Sequence, residues 1–365
     1  MTDQPLRVAL LNPRYWPEVR RGSERFAREL AYGLIALGHR PRLLTSHRGR
    51  ADTTTEDGLE VVRNPRLPEG RLRRREFEDY LTHVPFGYRS LTRGSDDVAH
   101  AMYPTDGLAA ARWSERTGRP AVLSWMGLAT RRWLATRRLR ARIAVEAAEG
   151  AAAVTALSET AAAALLRELG ISARVIPPGV DLEAFAPGGD RAPEPTILCA
   201  AALDQPQKRV HLLVEAFALV RRDRPGARLV LSRPRGVAPP WAHADGVELR
   251  DLDDRAALAA AYREAWVSAL PSWGEAFGLV LLEAMACGTP AVGSSLGAIP
   301  ELVDSDSVGR LFDGDDPQSL ARALLEAFEL TSDPATAAAC RARAEEFPAS
   351  RTTESYVALY RELIG

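Results

Sequence analysis

The chain predicts an α/β protein built from two doubly wound parallel-sheet domains. Three observations carry that reading. Short apolar runs alternate with amphipathic helical stretches, the pattern of βαβ units. The alternating series occurs twice, on either side of the Pro/Gly-rich stretch A-P-G-G-D-R-A-P-E-P at 186–195, which has little core potential and suits a linker. A length of 365 residues, 46% hydrophobic and 26% charged, fits two globular domains of ordinary size. The expected domains are 1–185 and 186–348, with 349–365 a closing helix that packs back on the first. Two such sheets would face each other across a cleft at the carboxyl ends of their strands, where open α/β sheets hold ligands.

Residues 6–11, L-R-V-A-L-L, read as a buried first strand. The loop N-P-R-Y-W-P-E-V-R-R-G-S follows. A helix is expected from Glu24 to about Leu37, with Phe26, Leu30, Leu34 and Leu37 on one face and Gly38 as its stop. P-R-L-L-T-S then gives the second strand. Gly22 lies where this βαβ unit turns tightly or approaches a phosphate. Further strands are expected at Leu59–Val62, Val98–Ala101, Ala121–Ser124, Ala152–Ala156 and Arg174–Ile176. After the linker, a strand starts at Thr196, Ile197 and Leu198, followed by a helix at 209–224. Strands at Arg228–Ser232 and Val247–Leu249, a helix at 254–265 and a strand at Trp266–Leu270 come next. A small-residue helix, a strand at Pro290–Gly293 and a last helix over 350–364 close the chain. The last helix carries Tyr356, Leu359, Tyr360 and Leu363 on its apolar face.

The charge is uneven. Residues 1–186 hold 29 Arg against 22 Asp and Glu, 29 − 22 = +7; the remainder holds 18 basic against 26 acidic, 18 − 26 = −8. Complementary lobes or unevenly solvated faces both account for this. Among 47 basic residues there is one lysine, Lys208. A compact, strongly hydrated ammonium is not interchangeable with a planar guanidinium. Its retention after the turn Asp204-Gln205-Pro206-Gln207 marks it as a candidate. Cys199, Cys287 and Cys340 lie far apart and form neither a disulfide framework nor a zinc site; Cys199 and Cys287 read as core thiols. No secretory leader or membrane span is evident, so a cytoplasmic location is expected.

The richest stretch is Glu275–Glu283, E-A-F-G-L-V-L-L-E. The step at Phe277-Gly278 reads as a loop closing onto a helix that starts near Leu279. Free amides and the positive end of the helix dipole suit a diphosphate there. Glu275 lies in the loop and Glu283 about one turn into the helix. The two carboxylates would accept hydrogen bonds from hydroxyls at opposite ends of a nucleotide-sugar.

The segment P-S-W-G-E-A-F-G-L-V-L-L-E-A-M-A-C-G-T-P-A-V-G-S-S-L-G-A-I-P-E-L-V (271–303) resembles the signature of glycosyltransferase family 4. R-R-G-S-E-R-F-A-R-E-L-A, D-D-V-A-H-A, V-T-A-L-S-E-T, V-I-P-P-G-V-D and Q-K-R-V-H-L-L-V-E-A-F extend that likeness over nearly the whole chain. The resemblance implies the GT-B fold of two Rossmann-like domains and a retaining glycosyl transfer from a nucleotide-diphosphate sugar to a hydroxylated acceptor. It implies that Glu275 binds hydroxyls of the transferred sugar and that Lys208 neutralises the leaving diphosphate. Phe277, Gly278 and Leu279 would offer amides to sugar and diphosphate, and Glu283 would hold the ribose. Gly22 and Ser23 would approach the diphosphate, and Arg250, Asp251 and Leu252 would contact the nucleobase. No cofactor and no metal would be needed.

Two departures stand out. Ala202 or Leu203 occupies the place where the family commonly carries an Arg before the Lys; Arg209, or Arg233 and Arg235, would compensate. Met126-Gly127 replaces a His-Gly that the resemblance places near the reacting sugar; His100 is the remaining histidine in that vicinity and reads as a satisfied structural histidine rather than a replacement. The departures motivate two rivals: a catalytically degenerate protein that binds nucleotide-sugar or a partner enzyme, and a nucleotide-sugar epimerase on the same fold.

Three D-x-D pairs, Asp251–Asp253, Asp304–Asp306 and Asp313–Asp315, lie in acidic turns and read as chance rather than as a metal site. The stretch 128–143 carries six arginines with Trp133, Leu134 and Leu139. With Arg71, Arg73, Arg74 and Arg75 it suits a solvated face better than a membrane surface. Nucleic acid is not an expected partner, since no binding motif accompanies the charge. Trp16, Trp125 and Trp133 suit an acceptor surface or a core. The Ala/Arg-rich composition fits a bacterial source, where the family serves natural-product tailoring and envelope glycolipid synthesis.

Overall fold

A computed structural model describes residues 4–18 and 22–365. The chain divides into two compact units, Met1–Pro177 with Ala349–Gly365, and Pro178–Pro348.

The first unit starts with β1 (Arg7–Leu11), α1 (Gly22–Ala36), β2 (Arg40–His47), β3 (Asp52–Glu56) and β4 (Leu59–Pro65). α2 (Gly70–Arg74), α3 (Val84–Arg93), β5 (Val98–Ala101), α4 (Pro104–Thr117) and β6 (Ala121–Trp125) follow. α5 (Arg131–Ala135), α6 (Arg140–Glu149), β7 (Ala153–Ala156), α7 (Glu159–Leu169) and β8 (Arg174–Val175) complete it. Its sheet runs in the order β3-β4-β2-β1-β5-β6-β7-β8. Every pairing is parallel except β3 with β4. The order reverses between β1 and β5, the switch point of a doubly wound sheet.

β3 was not among the expected strands. Its residues D-T-T-T-E are polar, so hydrophobic periodicity misses it. Asp57 and Gly58 both take positive φ, 47° and 86°, the backbone of a tight hairpin turn. Asp-Gly is the local signal that reveals the hairpin. Arg63 of β4 then donates to Thr54 Oγ1 at 2.7 Å and to Glu56 at 2.5 Å, pinning the edge strand. Helix α1 also departs from expectation at both ends. It begins at Gly22 and stops at Ala36, so Leu37 lies past its last turn, 46% exposed, while Phe26, Leu30 and Leu34 are buried.

The second unit holds β9 (Thr196–Cys199), α8 (Val210–Asp223), β10 (Arg228–Ser232), β11 (Val247–Arg250), α9 (Arg255–Glu264) and β12 (Val267–Leu270). It continues through α10 (Leu279–Ala286), β13 (Ala291–Ser294), α11 (Ile299–Leu302), β14 (Gly309–Phe312), α12 (Pro317–Leu330) and α13 (Pro334–Glu345). Its sheet is parallel throughout, in the order β11-β10-β9-β12-β13-β14. β9, β12 and β13 are buried along their full length, as central strands covered by helices on both faces should be.

The unit boundary falls before the expected linker. Residues 178–185 belong to the second unit because Val180 donates to the Phe347 carbonyl at 2.9 Å and Phe185 is fully buried against Tyr262. The last helix, α14 (Ala349–Ile364), belongs to the first unit. Tyr356, Leu359 and Tyr360 are buried on its inner face, with Phe26 of α1 edge-on to Tyr356 at 5.9 Å. Among the described residues no helix is long and apolar enough to cross a membrane.

Candidate functional site

The site of the second unit lies at the carboxyl ends of β9, β12 and β13. After β12 the chain runs through Pro271 and Ser272 into the loop that carries Glu275, then enters α10. Two neighbours hold this loop. On one side, Ser272 Oγ and the Trp273 amide both donate to the Gln207 carbonyl at 3.1 Å. On the other, the Ala298 amide donates to the Glu275 carbonyl at 3.0 Å. Gly297, at φ +74°, lets the backbones meet: a Cβ there would stand 2.7 Å from the Glu275 carbonyl oxygen. Sequence reasoning missed Gly297. It stands within the quoted 271–303 motif, but nothing local says what its missing side chain makes room for.

Tying Gln207 to Ser272 and Trp273 delivers Lys208 to Glu275. Lys208 ends a 3-10 turn over Pro206–Lys208. Its Nζ donates to Glu275 Oε2 at 2.5 Å, and the side chains are 22% and 15% exposed. The sequence reading gave these residues separate ligand groups; the structure makes them an ion pair. Gly278 caps α10 at φ +104°, which a residue with a side chain rarely adopts. The amides of Gly278, Leu279 and Val280 donate to no group among the described residues. They are the orphan donors of a helix start, backed by its dipole. Phe277 is buried edge-on to Phe347 at 5.5 Å, which fixes the loop just before the cap.

Arg209 has its donors engaged inside the second unit. It is 5% exposed and sits at φ +49°. Its Nε donates to the Pro271 carbonyl at 2.6 Å and its Nη1 to the Gly314 carbonyl at 3.0 Å. Nη1 also pairs with Asp315, and Nη2 donates to Ser294 Oγ at 3.2 Å. The guanidinium thus clasps the end of β13 and the segments that follow β12 and β14, and its donors are spent inside the protein.

Glu283 departs from expectation too. It is 1% exposed, and its Oε2 accepts from the Tyr262 hydroxyl at 3.1 Å. As placed, it offers no open carboxylate to a ribose. Arg250 is likewise engaged: it donates to Glu248 at 2.6 Å and Glu264 at 2.7 Å, and these hydrogen bonds hold its pKa above the usual arginine value. Its carbonyl accepts from the Arg233 amide at 2.7 Å. Asp251 accepts from the Asp253 amide at 3.0 Å, and Leu252 is 8% exposed. Arg233 donates to the Leu249 carbonyl at 3.0 Å and Arg235 to Asp253 at 2.8 Å.

In the first unit, Gly22 opens α1, and a Cβ there would meet nothing within 4 Å. Ser23 Oγ donates to Glu24 at 3.2 Å. Arg20 and Arg21 of the R-R-G-S motif lie outside the described residues. Met126 packs partly buried against the unit's core, and Gly127 is exposed. His100 lies in the interior of the first unit. It is fully buried, with Nδ1 2.6 Å from the Tyr360 hydroxyl and Nε2 2.6 Å from Ser124 Oγ. Ser124, Thr155 and Tyr356 close the network at 2.7–3.0 Å. Burial pushes the imidazole down to about 3, so it is neutral.

Trp125 is buried, and Trp133 stands edge-on to it at 5.8 Å under the Arg140 guanidinium. Arg140 itself is buried and bidentate on Glu78 at 2.5 and 2.8 Å. One of the six arginines of 128–143 is therefore part of the interior. Trp16 is partly buried beneath Arg28, at 4.3 Å. The aspartates of the D-x-D turns have separate uses: Asp304 pairs with Arg343, Asp306 with Arg310, Asp313 with Ser295 and Asp315 with Arg209. Among the described residues no three His, Cys, Asp or Glu side chains gather as a metal site would need. The three cysteines are buried and free, and burial pushes Cys199 up to about 11 and Cys287 and Cys340 to about 12. They are core thiols.

Comparison with known proteins bears on the family and the fold. A model described as Glycosyltransferase Family 4 matches residues 20–184, and one described as Glycosyl transferases group 1 matches residues 194–329. The chain belongs to glycosyltransferase family 4. Among curated relatives of this glycosyltransferase family member, D-inositol 3-phosphate glycosyltransferase of Kineococcus radiotolerans is 38% identical over 188 residues. That match covers 44% of this chain and 42% of the relative. The protein of the same description from Mycolicibacterium vanbaalenii is 34% identical over 176 residues, 48% of this chain and 39% of the relative. The chain therefore spans less than half the length of these relatives. Among solved structures, sucrose-phosphate synthase from Thermosynechococcus elongatus superposes with a TM-score of 0.83 at 23% identity, covering 98% of this chain and 99% of that one. Anabaena HepE in complex with UDP-glucose gives 0.75 at 18% identity, covering 98% and 100%. At such identities the likeness speaks to fold alone, and the fold is GT-B.

Proposed function

We propose that this family member transfers a sugar from a nucleoside-diphosphate donor to a hydroxylated acceptor, with retention at the reacting carbon. The observation that carries the reading is the junction of Lys208, Glu275 and three free amides at the start of α10. A leaving diphosphate gains negative charge as its bond to the sugar breaks. An ammonium and a helix start can stabilise that charge in place of a metal ion. Glu275 then takes sugar hydroxyls. Retention follows from front-face attack, with the departing phosphate helping to deprotonate the acceptor. Arg209, Glu283 and the Arg250 side chain have internal roles in this account, so donor affinity rests on fewer contacts than the motif implies.

The first unit would hold the acceptor. The inositol phosphate named for the curated relatives and the sugar phosphate named for the synthase neighbour support a small polyhydroxylated acceptor over a lipid. Cytoplasmic action in bacterial natural-product chemistry fits that choice. Met126 packs toward the core and takes no polar role, which leaves the sugar contacts to Glu275 and the loop amides.

The test is product analysis with UDP-sugars in EDTA, with inositol phosphates and sugar phosphates as acceptors, read by NMR of the new anomeric centre. Transfer with the donor's configuration kept supports the proposal. Inversion, a strict metal requirement, or a change of donor without any acceptor would each replace it, the last with an epimerase.

A further inference from the structure

The proposed donor site contains a contact that works against the donor. Lys208 and Glu275 face each other at 2.5 Å, mostly screened from solvent, and neither side chain has another partner among the described residues. A diphosphate arriving at Lys208 would meet the Glu275 carboxylate beside it, and like charges at that range repel. The only other cation on this turn, Arg209, is buried and bonded to Pro271, Gly314, Asp315 and Ser294. It cannot swing in to offset the repulsion. The Glu275 backbone is also fixed, by Ala298 and by the close approach of Gly297. Only the carboxylate end is able to move.

We infer that the Lys208–Glu275 pair is a latch released by the nucleoside diphosphate, so that Glu275 becomes free to accept sugar hydroxyls only once the phosphates have taken the lysine. The inference rests on the donor reading above. It assigns an order within the site: phosphates first, sugar contact second. It also gives the product a way out. When the sugar has left, the freed carboxylate returns to Lys208 and weakens the hold on the nucleoside diphosphate. A latch of this kind lowers affinity for the free diphosphate more than for the intact donor, because in the donor the carboxylate finds new partners.

The experiment is calorimetric titration of UDP and UDP-glucose into the full chain and three variants, Glu275→Gln, Lys208→Met and the double variant. The latch predicts that Glu275→Gln binds UDP about tenfold or more tighter, the low end of one charge-assisted contact no longer competed for. It predicts a smaller gain for UDP-glucose, and no gain when Glu275→Gln is added to Lys208→Met. A UDP gain that persists without Lys208 would reduce the effect to carboxylate repulsion and overturn the latch. Unchanged or weaker UDP binding by Glu275→Gln overturns it too, with the donor reading intact. No binding of either ligand by the unaltered chain, repeated with the other nucleoside diphosphates, removes both.

Discussion

The two units use the carboxyl ends of similar parallel sheets in opposite ways. In the first, strand residues turn their polar groups inward. His100 of β5, Ser124 of β6 and Thr155 of β7 are bound to one another and to two tyrosines of α14. In the second, Lys208 and Glu275 stay partly open beside a helix start with unused amides. Satisfied buried networks rigidify a core, whereas partly exposed charge beside orphan donors is available to a ligand. Chemistry in this fold is therefore found by asking which polar groups have spent their bonds, and residue type alone does not answer that. Arg209 and Lys208 make the point as neighbours: one is a clasp, the other a candidate catalytic group.

Substitutions sharpen the contrast. The largest effect belongs to Glu275→Ala, expected to lower transfer by about 10²–10³, the usual loss for one preorganised electrostatic contact. Its thermal unfolding should stay near that of the unaltered chain, since the pair is partly exposed. A melting temperature lowered by many degrees would make Glu275 structural. Next is His100→Leu, which strands the Tyr360 hydroxyl in the core, takes one partner from Ser124 and should cost about 2–5 kcal/mol of first-unit stability. Urea unfolding should show that loss while UDP titration of the folded protein is unchanged. The same histidine predicts a pH effect. Its folded pKa lies near 3, below the unfolded value of about 6.5. The unfolded state therefore binds the extra proton, and stability falls as pH drops through that window, by at most about 1.4 kcal/mol per unit. Replacing His100 by Gln should flatten that slope.

Arg209→Ala should cost about 2–3 kcal/mol, confined to the second unit, because three carbonyl or hydroxyl acceptors and Asp315 lose their shared donor. Calorimetric unfolding would show it, and a purely catalytic loss at full stability would contradict the clasp. The smallest effect is expected from Gly297→Ala. A Cβ at φ +74°, 2.7 Å from the Glu275 carbonyl, costs about 1–2 kcal/mol of local strain. It should lower kcat more than it raises the UDP dissociation constant, since it displaces the sugar-binding loop and leaves Lys208 in place.

Much of this was legible in the sequence. The two strand series and the helix start at Leu279 come from local patterns that need no partner. The misses share a physical cause. Arg209 finds Asp315 from 106 positions away and His100 finds Tyr360 from 260, so neither partner can be read from a local pattern. Glu283 looks like a ligand carboxylate until Tyr262 and the core close over it. The edge strand β3 escaped because its residues are polar, although Asp57-Gly58 announced the turn.

The central claim is that Lys208 and the α10 start form an anion site that works without metal. Its most direct test is calorimetry of nucleoside diphosphates against the full chain and Lys208→Met, in EDTA and then in Mg²⁺. The account predicts binding in EDTA, little change on adding Mg²⁺, and a loss of about tenfold or more in Lys208→Met, with affinity for the bare nucleoside unaltered. Binding that appears only with Mg²⁺, or that survives the loss of Lys208, would contradict it.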